Sequence, residues 1–228
     1  MNNTLLQLKI KQRMNSLSSN DYDSIECWMI VEAFNKVQNV FVREEARRSG
    51  QDTQNLDDLQ AVVKVQELIG ENKARFYEAP LPKDYFAGLR VSAMGVTEDC
   101  PNGRPMVIYD ADEGNLEMLL RDINRKPSFE WAESFQTMGS GKIRLHTDGL
   151  FELTEVKVTY YCKPRPISFA TCVNEFDQPT PDVESIFKDD VTEMLIDRTA
   201  SLLSGDIERF NQMQRLAAPT PQQAPQKQ

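Results

Sequence analysis

The spacing of apolar residues changes period twice along this chain, and that change restricts the fold more than any other feature of the sequence. Leu6, Ile10, Met14 and Leu17 recur at helical spacing with Lys9, Lys11 and Arg13 between them, which predicts a short amphipathic helix. Residues 18–21 form a polar break. Asn20 is the candidate N-cap, and Asp21 and Asp23 suit a first turn, where the helix dipole favours negative charge. Cys27, Ile30, Phe34, Val37 and Phe41 then predict a second helix to about Arg48, with Trp28 and Val31 broadening its apolar stripe. Arg47 and Arg48 suit its C-terminus and Gly50 its left-handed closing residue. A third helix is expected from Asn55 to Gly70, with Leu56, Leu59, Val62, Val63, Val65 and Ile69 turned inward.

Between residues 73 and 173 the texture differs. Most of the ten glycines and over half of the twelve prolines fall here, among short apolar runs. Residues 106–109 read as a strand. Ile143 and Leu145 alternate with Lys142, Arg144 and His146, and Val156, Val158, Tyr160 and Cys162 alternate with Glu155, Lys157, Thr159 and Tyr161. Period-two alternation belongs to half-buried strands. Asp148-Gly149 is a turn signal between the last two runs, and a short helix fits 115–123.

Helical spacing returns after residues 179–182, where Thr180 is placed to cap a helix with Pro181 at its first position. Phe187, Val191, Leu195, Leu202, Ile207 and Phe210 mark one face as far as about Leu216, with Gly205 a point at which the helix kinks or divides. The fold expected is α+β: a helical bundle built from the N- and C-terminal helices (1–70 and 181–216) with a β-rich central insert (71–180). Residues 217–228, rich in Pro and Gln, are expected to be a disordered or docking tail, disordered in the free subunit and docking on a neighbour or the portal in a particle.

Composition removes several functions. A net charge of −9 opposes general nucleic-acid binding, which needs clustered Lys and Arg to neutralise phosphates. Cys27, Cys100, Cys162 and Cys172 lie far apart without a CxxC pair, so four reduced thiols and synthesis in a cytoplasm are expected. The N-terminus has neither a continuous apolar core nor a cleavage site of the signal-peptide kind, and no stretch approaches the ~20 apolar residues of a membrane span.

The chemistry-bearing motifs fail on spacing. Met138 to Leu145 contains Gly141-Lys142, but a phosphate loop needs Gly where Gln136 stands and Ser or Thr where Ile143 stands, so a turn into a strand is expected. Asp110, Asp112, Glu113 and Gly114 begin like a calcium loop, yet Gly114, Asn115 and Arg121 occupy the positions that need an oxygen ligand, Gly and Glu. An acidic turn capping the next helix fits better. His146 has no second His or paired Cys nearby and reads as a surface strand residue. No catalytic, cofactor-binding or metal residues are expected, no cofactor, and no enzymatic activity.

Four segments carry a resemblance. They are PKDYFAGLRVSA at 82–93, RPMVIYDADEGNLEMLLRDINRKPSFEWAESF at 104–135, KIRLHTDGLFELTEVKVTYYCKPRPISF at 142–169, and PDVESIFKDDVTEMLIDRTASLLSGDIERFNQMQRL at 181–216. Their order and texture resemble the head–tail connector (ring or adaptor) proteins of short-tailed phages that infect Bacteroidetes, including the crAss-like group. The resemblance implies a virion protein at the head–tail junction, made in the host cytoplasm. It implies a ring homo-oligomer, usually a dodecamer, that docks on the portal protein, extends the DNA channel and offers a platform for other tail or ring proteins. DNA would pass without specific binding, and no membrane is involved. Another tail or capsid accessory protein is the alternative, and a phage-encoded hydrolase a more distant one.

Overall fold

The computed structural model describes residues 1–17, 25–48, 56–170, 172 and 181–217, in two compact units. The first comprises 1–61 with 164–228, and the second 62–163. In the first unit, α1 (Asn3–Leu17) and α2 (Cys27–Arg48) both pack on α5 (Asp189–Ala217). Leu6, Ile10 and Met14 of α1, Ile30, Phe34, Phe41 and Val42 of α2, and Val191, Leu195, Ile196 and Ala200 of α5 are buried. Phe41 meets Phe187 edge-on, ring centroids 5.8 Å apart. Asn35 fixes the returning chain to α2: its amide donates to Ile167 O at 3.1 Å and its Oδ1 accepts from Ile167 N at 2.8 Å.

The second unit is one eight-stranded sheet in the order β1-β8-β4-β5-β6-β7-β3-β2. Its strands are β1 (Val63–Glu67), β2 (Glu71–Lys73), β3 (Phe76–Pro80), β4 (Tyr85–Thr97), β5 (Cys100–Asp110), β6 (Glu133–Gly139), β7 (Lys142–His146) and β8 (Glu152–Cys162). Pairing is antiparallel except between β5 and β6, whose crossover carries α4 (Leu116–Arg121). Glu155, at φ 47°, forms a bulge in β8 that lets Leu153 and Val156 both face the core. The two margins, β1 and β2, are joined by residues 68–70 alone. There Leu68 N donates to Val156 O at 2.8 Å, and the Tyr77 hydroxyl to Leu68 O at 2.7 Å. Gly70 is required at this seam, because a Cβ would collide with the Glu78 carbonyl oxygen.

Several expectations are corrected. The chain is not an α+β helical bundle of N- and C-terminal helices flanking a β-rich central insert; it is a mixed α/β protein dominated by the eight-stranded half-barrel sheet. Part of the reason lies in the first unit, where α1 and α2 lean on α5 but barely meet each other. A larger part lies at 55–70. Helix α3 covers Leu56–Leu59 only and passes through a 3₁₀ turn at Gln60–Val62 into β1. Val62, Val63 and Val65 fit a helical stripe and a strand equally, and β-branching favours the strand. Val65 and Ile69, expected inside, are 67% and 89% exposed.

The last helix begins at Asp189, eight residues beyond Pro181, with Asp189 and Asp190 in its first turn. The stretch before it forms a bridge in which Ser168 and Val183 exchange backbone bonds. Gly205 does not divide α5, which is continuous over 29 residues. The four-thiol expectation also fails. Cys27 and Cys172 form a disulfide, Cα atoms 5.5 Å apart, while Cys100 and Cys162 are free. The caps at Asn20 and Thr180, the closing Gly50 and the tail from 218 lie outside the described residues, as do the side chains of Ile207 and Phe210.

Candidate interaction surface

The residues weighed for chemistry in the sequence are dispersed and structurally engaged. Ser140 and Gly141, at φ 52° and 72°, form the two-residue turn between β6 and β7, and Lys142 opens β7. The Lys142 ammonium lies 3.2 Å from Glu78, which Lys73 and Arg144 also contact, at 2.8 and 2.9 Å. These hydrogen bonds, led by that from Lys73, hold the Glu78 carboxyl down at about 2. Lys73 and Arg144 also lie over the Phe76 ring.

Asp110 ends β5 and accepts from the Gln136 amide. The Asp112 carbonyl accepts from Asn115 N at 2.9 Å, and Glu113 lies 4.0 Å from Arg144. The expected acidic cap is absent from α4: Asn115 occupies the N-cap position and makes no side-chain cap bond. His146 is buried, not a surface residue. Its Nε2 lies 3.0 Å from Thr137 Oγ1, and burial, helped by the Arg144 charge, pushes its pKa down. Among the described residues, no group of three or more His, Cys, Asp or Glu is placed to hold a metal, and no helix is long and apolar enough to cross a membrane.

A different surface stands out, formed by turns at one end of the sheet. The β4–β5 turn contributes Glu98 and Asp99, held by a Thr97 Oγ1 that accepts from Cys100 N at 3.2 Å. The segment leading into β6 is pinned from several directions. Ser128 and Glu133 exchange backbone bonds at 3.0 and 3.1 Å, and Ala132 takes a positive φ of 57°. The Arg104 guanidinium donates to the Phe129 and Glu130 carbonyls at 3.2 and 3.1 Å and lies over the Phe129 ring. In the β7–β8 loop, Asp148 Oδ1 accepts from Leu150 N at 2.8 Å beside Gly149, whose φ is 85°.

These turns enclose an open cleft of about 1330 Å³. Phe129 and Phe151, centroids 6.0 Å apart, lie among its lining residues, and Phe151 is buried. Ile123, Trp131 and Leu150 stand at the cleft 83%, 77% and 79% exposed, too exposed to serve the core. Six carboxylates line it (Glu98, Asp99, Glu130, Glu133, Asp148 and Glu152) against one cation, Lys126. The Glu133 charge is felt nearby, pushing the Tyr109 phenol up. Such a surface repels phosphates and suits an apolar protein segment carrying positive charge.

Sequence reasoning missed this cleft. The available signal was three large apolar residues stranded in turn-rich, charged contexts, off any period-two or helical stripe: Ile123 between Asp122 and Asn124, Trp131 after Glu130, and Leu150 after Gly149. Compared with known proteins, the chain matches no family model and no curated protein.

Proposed function

We propose that this chain is a non-enzymatic structural subunit of a phage head–tail connector ring, which docks on the portal, extends the DNA channel and presents a platform for tail proteins. The observation that carries this reading is the cleft of the second unit, where exposed Trp131, Ile123 and Leu150 sit inside a frame of carboxylates. Large exposed apolar side chains ringed by charge mark protein–protein contact surfaces. The acidic total supports the same reading, since a net charge of −9 suits a wall past which DNA slides without adhering. The resemblance to connector proteins supplies the partner.

The test is the native mass of the purified full chain, alone and mixed with portal protein. The expected result is a closed homo-oligomer or its formation on the portal. A chain that remains monomeric in both samples overturns the reading.

A further inference from the structure

Among the described residues, a second apolar face stands exposed, on α1. Helix α1 turns Leu6, Ile10 and Met14 inward, all fully buried, yet Leu5 and Leu8 project from it 42% and 63% exposed. A helix apolar on more than one side has more than one neighbour. Its charge is also distinctive. The first twenty residues contain no Asp or Glu but carry Lys9, Lys11 and Arg13. Lys9 pairs with Glu193 and Arg13 with Asp197, the latter at 2.9 Å. Lys11 has no acidic partner among the described residues.

We propose that α1 of one copy docks in the acidic cleft of the next, so that subunits join head to tail. Leu5 and Leu8, three residues apart and one above the other on the helix, meet Trp131, Ile123 and Leu150. Lys11, three residues beyond Leu8, faces the Glu130 and Glu152 carboxylates. Charge complementarity selects this occupant: the cleft lining carries six carboxylates and one cation, and α1 is an acid-free, basic and apolar segment of the same chain. A helix laid in an apolar groove through anchors at i and i+3 is a recurrent mode of recognition. The two patches differ, so the contact is heterologous. Each subunit keeps one free helix and one free cleft until a ring closes. This inference deepens the ring reading and rests on it.

The test uses the full chain with one face removed at a time. Leu8→Asp spoils the helix face and Trp131→Ser the cleft; both residues are surface-exposed, and unchanged melting and far-UV spectra confirm folding. Lys11→Glu and Glu130→Lys replace them if either variant melts early. Each variant alone is expected to be monomeric by native mass spectrometry. Their equimolar mixture is expected to give a heterodimer that grows no further, because one intact helix and one intact cleft remain per pair. Higher salt should lower assembly of the intact chain.

A variant that assembles like the intact chain overturns the inference, as does a mixture that stays monomeric. If both variants still form the ring but Trp131→Ser abolishes portal binding, the cleft belongs to the portal and the ring reading stands. If the intact chain is monomeric alone and with portal, the ring reading falls with it.

Discussion

Replacing both Cys27 and Cys172 by Ala should destabilise the chain by several kcal/mol, and the size follows from where the bridge sits. The two cysteines are 145 residues apart, so the bridge closes a loop that contains all of the second unit. If the whole chain unfolds at once, the chain-entropy relation gives roughly 17 cal/mol/K, or about 5 kcal/mol at 25 °C. If the first unit unfolds while the second stays folded, about 44 residues of the loop become free, and the same relation gives about 4 kcal/mol. Native-state distortion subtracts from either figure, so an observed loss of ~2–5 kcal/mol is expected.

The assay is urea unfolding of intact and double-variant chains without reductant, followed by far-UV circular dichroism. The midpoint should fall. The urea dependence should steepen, because an unfolded chain without the bridge exposes more surface. An intact mass two hydrogens below the reduced value confirms the bridge independently. A midpoint change worth less than about 1 kcal/mol, or an unreduced sample with four titratable thiols, refutes the reasoning.

Gly70→Ala should cost about 1–3 kcal/mol, read as a lowered melting temperature, because its Cβ meets the Glu78 carbonyl and the Tyr77 and Ala79 side chains. Phe34→Ala, at a fully buried position on α2, should cost ~3–5 kcal/mol in urea unfolding. The Glu78 carboxyl is depressed in the folded state from an ordinary 4.5 to about 2, so its stabilisation is complete above pH 4.5 and is lost as pH falls toward 2. Melting temperature against pH should therefore fall less steeply across that window in Glu78→Gln than in the intact chain.

The helical stripes were legible because each has one dominant buried face. Ile30, Phe34 and Phe41 on α2 and Val191 and Leu195 on α5 are buried at the expected spacing. Strands β7 and β8 were legible for the corresponding reason, since Ile143, Leu145, Val156, Val158 and Tyr160 face the core in alternation. Strand β4 was not, because three register shifts against β8 break its period. Strand β6 was not, because Ser134, Phe135, Gln136 and Thr137 are buried on both faces and leave no alternation to detect. The disulfide was hidden because proximity across 145 residues has no local signature. The cleft was hidden for a further reason: its turns come from three separate connections, and only the sheet brings them together.

The seam at residues 63–73 has a dynamic consequence. In an open sheet the two edge strands fray independently, each with its own opening free energy. Here both edges belong to one short run of chain, tied at Leu68 to β8 and, through the Tyr77 hydroxyl, to β3. An opening that releases Leu68 loosens β1 from β8 and β2 from β3 in the same event. The amides of β1 and β2, at opposite ends of the strand order, should therefore exchange with solvent deuterium as one correlated group.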